Sequence, residues 1–456
     1  MPDLISKLRS LLTFCIAIIF LGNLFIKSNL IQNLNLIILL MVIVFSFIAA
    51  AGTTLLIGSM SFGLSIILFL YYHAPLSVWQ QAFQENIYLV VMFTLVPLLG
   101  IPIQHGGYFE ALQGLFKRYV YNDSRFYLLV SFVSAFVGVL VNLAVVPLVL
   151  QISRASTISS NKKLLSSAIV RGFATCTIWA PTTAAIALIV QLSGASWPLF
   201  FPYAILCGII SGLVGYFITM NEEKRAGNPF ASPDQEPDEE FDMQKVIELS
   251  VFSISLIAAI AGVSFITGIP TVIVVSLASL IFPVIWLGFI GRLQILIREL
   301  TGYFNGLPKL KNEIILFMGA GLLATSINYS HLGNYIALIL SFLVGQNALL
   351  LAVLIILSIL ILSALGIHPI IPVTIIGGTL KAAAYGVTPT YLALILAISW
   401  SMGISISPSS ATVIALSGLT GLSPIHVGPR WNALYVLIAS AVMLTILTFA
   451  RIIGWL

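Results

Sequence analysis

Apolar stretches follow one another along almost the whole chain, separated by short polar segments. A helix that crosses the hydrocarbon core of a membrane needs about 20 such residues in succession. Stretches of this kind predict eleven spans, at 11–26, 33–51, 53–72, 87–104, 164–192, 196–219, 246–267, 268–290, 313–330, 390–422 and 431–453. The pattern therefore predicts an all-α polytopic membrane protein with two further apolar stretches, at 127–151 and 347–374.

The basic residues indicate how these stretches cross the membrane. Lys and Arg concentrate in cytoplasmic loops, and with a cytoplasmic N-terminus the basic segment 117–125 falls inside after the fourth span. If 127–151 crossed completely, the basic segment 154–163 would lie outside. We therefore predict that 127–151 and its counterpart 347–374 are re-entrant hairpins, which are tolerated where they are buried in protein or line a cavity.

One part of the sequence returns about 226 residues later. Six residues recur, namely Asn86, Met92, His105, Gly107, Ala111 and Leu112 as Asn312, Met318, His331, Gly333, Ala337 and Leu338. The motif Ala180-Pro181-Thr182-Thr183-Ala184 likewise returns as Ser407-Pro408-Ser409-Ser410-Ala411. Because the first copy begins outside and the second inside, the sequence predicts inverted repeats, an organisation typical of secondary transporters.

The repeats divide the chain into four regions. Residues 1–32 hold an N-terminal transmembrane helix, 33–219 the first repeat and 246–456 the second. The segment between them, 220–245, carries most of the acidic residues and is predicted to be cytoplasmic. It is either a regulatory or docking element or a solvated linker, and we favour the linker because charge runs are typical of disordered connections.

The composition excludes a soluble protein. Of 456 residues, 59% are hydrophobic and 8% are charged, and the mean hydropathy is +1.10. The net charge of +5 is attributed to loop topology rather than to nucleic-acid binding. The N-terminus is basic and then apolar, as in a signal peptide, but no small-residue cleavage site follows, so we predict a retained helix. Three cysteines without paired spacing predict neither disulfides nor zinc.

Proline interrupts two predicted spans at equivalent places. Pro181 lies within 164–192 and Pro408 within 390–422, and proline breaks the hydrogen-bond ladder of a helix. A split helix presents N–H groups and a positive dipole end near the midplane, which suits an anion. We predict substrate binding by Asn142, Thr182, Thr183, His368, Ser409 and Ser410, and ion coupling by Asn142, Thr177, Ser405 and Ser407. The alternative is that these hydroxyls only bond helix backbones.

Carboxylates are missing from the predicted hairpins and broken helices. Neither 124–221 nor 314–456 contains Asp or Glu. Proton relays and many cation sites in membranes use buried acids, so an anionic or neutral solute is expected. No Walker loop, dinucleotide fingerprint or metal-binding His pair is found. We therefore predict no enzymatic activity, no metal and no resident cofactor, with sodium or a proton as the coupling ion.

Five further polar residues have individual predicted roles. His368 is either proton-responsive or a neutral imidazole held by a hairpin carbonyl. His105 and His331 lie at equivalent positions after a span, where a structural role at the membrane interface is expected. Arg171 is expected to extend its side chain to the interface. Lys381 is expected near the solute's entry path.

The order of helix, interfacial segment, re-entrant hairpin, broken helix and closing helix is present twice, over about 33–453. It resembles the ion transporter superfamily and, within it, the divalent anion/sodium symporters, which carry dicarboxylates, citrate or sulfate. In that family a Ser-Asn-Thr motif at each hairpin tip binds sodium and substrate. Here Asn142 matches that motif, whereas Ile367-His368-Pro369 does not. The resemblance implies an elevator motion against a dimerising scaffold, and hence a homodimer.

Together these features predict a multi-pass secondary active transporter of the plasma membrane. It would move a small anionic solute, a carboxylate or an inorganic oxyanion, by alternating access within the lipid bilayer. The alternative within transport is a cation/proton or metalloid exchanger, which membrane-embedded carboxylates would support. The alternative outside transport is a membrane enzyme or component of a lipid-linked envelope pathway.

Overall fold

A computed structural model describes residues 2–225 and 242–456, except for the side chains of Pro2, Asp3, Leu4 and Thr53. Every regular element in these ranges is helical. The first part contains α1 (Pro2–Ile26), α2 (Asn29–Ala49), α3 (Gly52–Tyr71), α4 (Leu76–Gln84), α5 (Ile87–Leu95), α6 (Gly100–His105), α7 (Tyr108–Tyr119), α8 (Asp123–Val141), α9 (Val145–Ser153), α10 (Lys162–Trp179), α11 (Ala184–Ser193) and α12 (Trp197–Arg225).

The second part begins at Met243. It contains α13 (Met243–Thr267), α14 (Thr271–Phe289), α15 (Leu293–Gly306), α16 (Lys311–Tyr329), α17 (Gly333–Val344), α18 (Ala348–Ala364), α19 (Ile370–Thr379), α20 (Pro389–Ile406), α21 (Ala411–Thr420) and α22 (Trp431–Ile452). Short 3-10 helices occupy Val96–Leu99, Asn142–Ala144, Thr157–Ser160, Leu307–Leu310 and Ala382–Tyr385, and a π-helical turn occupies His426–Arg430. Thus α8 to α12 correspond in order to α18 to α22.

Twelve helical stretches in the described ranges are long and apolar enough to span a membrane. Eleven coincide with the predicted spans, and the twelfth is Asp123–Ser153, which contains the first predicted hairpin. The structure interrupts that stretch at Asn142–Ala144. The prediction of an all-α polytopic membrane protein is confirmed, while the re-entrant and inverted arrangement stays a prediction.

The predicted linker 220–245 begins later than expected. Helix α12 continues to Arg225, and 226–241 lie outside the described residues. The last turn of α12 is held by its acidic residues, because Glu222 pairs with Lys163 at 2.7 Å and Glu223 accepts a hydrogen bond from Asn161 at 3.1 Å. Lys224 and Arg225 end the helix where cations are favourable to its dipole.

Equivalent helices of the two parts begin and end in the same way. The side chains of Asn122 and Asn347 cap α8 and α18, and those of Asn161 and Thr388 cap α10 and α20. A side-chain oxygen at this position satisfies a free N–H of the first turn. Helices α11 and α21 both end at a glycine with positive φ, Gly194 and Gly421. The local chemistry of the repeat therefore extends beyond the residues that are identical.

The helices pack around two main hydrophobic cores. The first, here the α3–α16 core, joins α1, α2, α3, α5, α14 and α16. The second, here the α10–α20 core, joins α8, α10, α12, α18, α20 and α22, and continues into α9, α11, α19 and α21. The segments that contain Pro181 and Pro408 connect helices of the α10–α20 core.

Candidate functional site

Two interruptions in the α10–α20 core carry most of the predicted site residues. Break 1 is the non-helical segment 180–183 between α10 and α11, and break 2 is the segment 407–410 between α20 and α21. Pro181 and Pro408 stand at the second position of each. Because proline has no N–H and its ring disfavours helical geometry for the preceding residue, each helix ends just before it, with Ala180 and Ser407 extended.

A turn precedes each break in the chain. Turn 1 (142–144) joins α8 to α9, and turn 2 (365–369) joins α18 to α19. Asn142 has φ 53° and ψ −132°, a region that glycine occupies at least cost and asparagine tolerates better than most residues. In turn 2 the residue with a positive φ is Gly366, whose φ is 94°.

A similar hydrogen bond in both parts joins the break to the end of the preceding helix or to the turn that follows it. Thr182 Oγ1 donates to the carbonyl of Val139, in the last turn of α8. Ser409 Oγ donates to the carbonyl of Gly366 at 2.7 Å. Donor and acceptor are 43 residues apart in both cases. The predicted site residues therefore form two similar clusters, each composed of one turn and one break.

The two interrupted helices cross between these clusters. Ser401 Oγ donates to the Ala174 carbonyl at 2.6 Å across a separation of 227 residues, which is also the offset between the two breaks. Beyond this contact α11 packs against α20, and α21 against α10. Each helix that follows a break thus packs against the other interrupted helix on the side before the crossing. This arrangement requires α10 and α20 to run in opposite directions. Each break lies six residues beyond the crossing, or about 9 Å along its helix.

Most of the remaining predicted hydroxyls bond backbone carbonyls. Thr177 donates to Ala174 and Thr183 to Ala180. Ser405 donates to Ser401, and Ser410 donates to Ile404 at 2.7 Å. Each hydroxyl retains acceptor lone pairs, so these contacts fix the side chains without using all of their polar capacity.

The first turns of α11 and α21 differ in their capping. Ser410 accepts a hydrogen bond from the Val413 N–H at 3.4 Å, whereas Thr183 makes no such side-chain bond to α11. The N–H groups that begin α11 are therefore not capped by Thr183. An anion is favoured at a helix N-terminus of this kind.

A cavity of about 560 Å³ adjoins break 1. Pro181 forms part of its wall, together with α11, the start of α12 and the connection between α13 and α14. Its lining combines the apolar side chains of Val190 and Trp197 with the polar Gln191 and Ser264. The cavity gives break 1 a volume in which a small solute fits, and no feature of the sequence indicated it.

His368 lies in turn 2 against Trp400 of α20. Their ring centroids are 6.0 Å apart at 79°, and His368 Nδ1 accepts a hydrogen bond from the Ile370 N–H at 3.2 Å. The partner is thus an N–H at the start of α19, not the hairpin carbonyl of one sequence interpretation. A protonated Nδ1 could not accept this bond.

The expectation that Arg171 reaches the membrane interface is wrong. Its side chain is 1% exposed and donates four hydrogen bonds, to Asn432 Oδ1 at 2.9 Å, Thr219 Oγ1 at 2.5 Å, and the carbonyls of Trp431 and Gly215 at 2.8 and 3.4 Å. The guanidinium also lies 5.0 Å from the centre of the Tyr435 ring. Partners on α12 and α22 hold it inside the core.

The π-helical turn His426–Arg430 was also missed. Gly428 lies against break 2, since a Cβ there would come within 3.1 Å of the Ile406 carbonyl and 3.4 Å of Ser407. π-Helical turns occur frequently at functional sites. The sequence feature that could have indicated this irregular turn is Pro429, which lies inside an apolar run.

The other polar residues lie apart from the two clusters. His105 Nε2 is 3.4 Å from Glu299 and lines a separate cavity of about 320 Å³ with Gln104 and Tyr303. His331 has φ 57° between α16 and α17, and Lys381 is exposed after α19. Among the described residues, no group of three His, Cys, Asp or Glu is arranged to hold a metal ion.

The backbone at Asn142 leads to a stability prediction. We expect Asn142→Ala to lower the free energy of unfolding by about 1 kcal/mol, because alanine strains a positive φ. Asn142→Gly should stay close to the wild type, since glycine adopts this conformation freely. Thermal unfolding of the purified variants measures the difference. An alanine variant as stable as the glycine variant would contradict the assignment of strain to this position.

Comparison with known proteins bears on the fold. No family model matches the chain, and no curated protein matches it. Among solved structures, the crystal structure of the YdaH transporter of Alcanivorax borkumensis is similar, with a TM-score of 0.56 and 15% sequence identity over 88% of this chain and 98% of that one. The chain shares the fold of that protein over most of its length.

The similarity does not extend to finer features. The divalent anion/sodium symporter family, the anionic solute and the coupling ion stay predictions. So do the homodimer, the plasma-membrane location and the cytoplasmic N-terminus.

Proposed function

We propose that this protein is a secondary active transporter of a small anionic solute, a carboxylate or an inorganic oxyanion. The observation that carries the proposal is the pair of turn–break clusters, Thr182 with Val139 and Ser409 with Gly366. Two similar polar interruptions inside an otherwise apolar core are the arrangement that secondary transporters use to bind solutes near the midplane.

The charge of the surroundings supports an anion. The elements that build both clusters, 124–221 and 314–456, contain no Asp or Glu. Break 1 adds the uncapped first turn of α11, whose N–H groups and dipole favour negative charge. A cation exchanger would instead need carboxylates at this depth.

Alternating access is supported by the division into two cores. Helix α19 packs against α16, and a Cβ on Gly378 would come 3.2 Å from Cβ of Ala324. Small residues let helix backbones approach closely in membranes. We propose that the α10–α20 core moves as a unit along the α3–α16 core, with sodium or a proton coupled to the movement.

A ligand screen tests the proposal. A ligand that binds only the folded state stabilises it by about 2.7 kcal/mol at one hundred times its dissociation constant. We expect citrate, succinate or sulfate to raise the thermal unfolding midpoint of the purified protein saturably, with sodium and pH varied to identify the coupling ion.

Two variants test whether the anion binds at break 2. Ser409→Ala removes a hydroxyl of break 2 and is expected to weaken the anion shift. Ser276→Ala is the control, because its hydroxyl bonds only the Val272 carbonyl within α14. No shift with any anion, but one with lipid-linked sugars, would overturn the proposal in favour of the envelope pathway. A shift with cations alone would favour the exchanger.

A further inference from the structure

Arg171 is a buried cation, and its hydrogen-bond partners in the described part of the chain are all neutral. Its four hydrogen bonds go to an amide, a hydroxyl and two carbonyls, and its side chain is 1% exposed. The nearest acidic residues in sequence to its partner Thr219 are Glu222 and Glu223, which are engaged with Lys163 and Asn161. Among the described residues, no carboxylate therefore forms a hydrogen bond or ion pair with the guanidinium.

A purely structural role does not explain this choice of residue. Burying a charge costs far more than burying a neutral polar or apolar side chain. The four acceptors offset that cost, but an apolar side chain would need none of them. The charge itself is thus the property that distinguishes arginine at this position.

The guanidinium lies close to break 2 through a short series of contacts. Asn432 accepts from Arg171 Nε and donates to the Val427 carbonyl at 2.7 Å. The next residue, Gly428, packs against Ser407 of break 2. These contacts span roughly 10 Å, the width of one helix. Break 1 begins nine residues beyond Arg171 on α10, or about 14 Å.

We propose that Arg171 is a specificity-determining residue, whose unneutralised charge makes the region of the two breaks prefer an anion. The inference rests on the proposed function and adds the residue that sets its charge preference. A unit charge at about 10 Å, in an environment with an effective dielectric constant of about 20, changes the affinity of a singly charged solute about tenfold. Arg171 acts at a distance and also positions the π-helical turn.

The charge can be neutralised without removing Arg171. Thr219 Oγ1 already accepts from Nη1 at 2.5 Å, so Thr219→Asp places a carboxylate beside the guanidinium. Thr219→Asn is the matched control, because it has the same size and no charge. The probes are succinate and its uncharged diamide, and the readout is the dissociation constant of each for the purified, detergent-solubilised protein.

We expect Thr219→Asp to weaken succinate binding about tenfold, with Thr219→Asn within about twofold of the wild type and the diamide unchanged. Equal succinate affinity in the two variants would overturn the inference and leave the proposed function intact. If Thr219→Asp does not fold, Arg171→Lys and Arg171→Gln replace it, and equal affinities there overturn the inference in the same way. A wild-type protein that binds the diamide and not succinate would overturn the anionic solute itself.

Discussion

Replacing Gly172 by alanine is expected to destabilise the protein by about 3 kcal/mol or more, the largest effect of any substitution considered. A Cβ at this position would come within 2.7 Å of Ser131 Cα and 2.8 Å of Ser134 Cβ on α8, and closer still to the Ser131 carbonyl. Part of this obstacle is backbone, which cannot rotate away. Helices α8 and α10 must therefore separate, and this movement would distort the hydrogen bonds of the neighbouring Arg171.

The measurement is the thermal unfolding midpoint of the purified variant, with the amount of folded protein recovered from membranes as a second readout. Gly212→Ala on α12 is the matched control, because its Cβ meets nothing within 4 Å. That variant is expected to be as stable as the wild type or slightly more, since alanine favours the helix by about 1 kcal/mol over glycine. Equal stability of the two variants would contradict the close packing of α8 on α10.

Thr182→Val is expected to have the second largest effect. Valine keeps the shape of threonine but leaves the Val139 carbonyl without its donor. A buried group that loses its partner costs about 1–3 kcal/mol. Thr182 is 1% exposed, so water cannot replace the lost bond. We expect a lower unfolding midpoint, and a five- to hundredfold weaker affinity for a solute bound at this cluster.

The equivalent change in the second cluster provides the comparison. Ser409→Ala removes the corresponding bond to Gly366, but Ser409 is only partly buried. Water can then satisfy the carbonyl, and the loss of stability should be smaller than for Thr182→Val. Isothermal titration and thermal unfolding of both variants show which substitution causes the larger loss of affinity and of stability. The reverse order would contradict the argument that burial decides the size of the loss.

Hydropathy and proline were sufficient to locate the main elements. The eleven predicted spans coincide with apolar helices, because length and composition alone decide what can cross a bilayer. The interruptions at Pro181 and Pro408 follow from a local property of proline that needs no tertiary partner. For the same reason the repeat motif indicated equivalent positions before any contact was known.

The environment of Arg171 could not be predicted in this way. Its position along α10 suggested the interface, but Asn432, which accepts its Nε, lies 261 residues away in the sequence. Two other acceptors are backbone carbonyls, which every residue possesses and no sequence pattern marks. The cavity beside break 1 likewise depends on how α11 and α12 meet the connection between α13 and α14.

The composition of the α3–α16 core has a consequence for biosynthesis. Gly319 of α16 packs on Phe62 of α3, and Arg9 of α1 donates to the Pro308 carbonyl at 2.7 Å. The partners of the earliest helices are thus encoded in the second half of the message. A ribosome that adds about 5–20 residues per second needs tens of seconds to reach them. During that interval α1, α2 and α3 depend on lipid or on the insertion machinery to cover the surfaces that α16 later occupies.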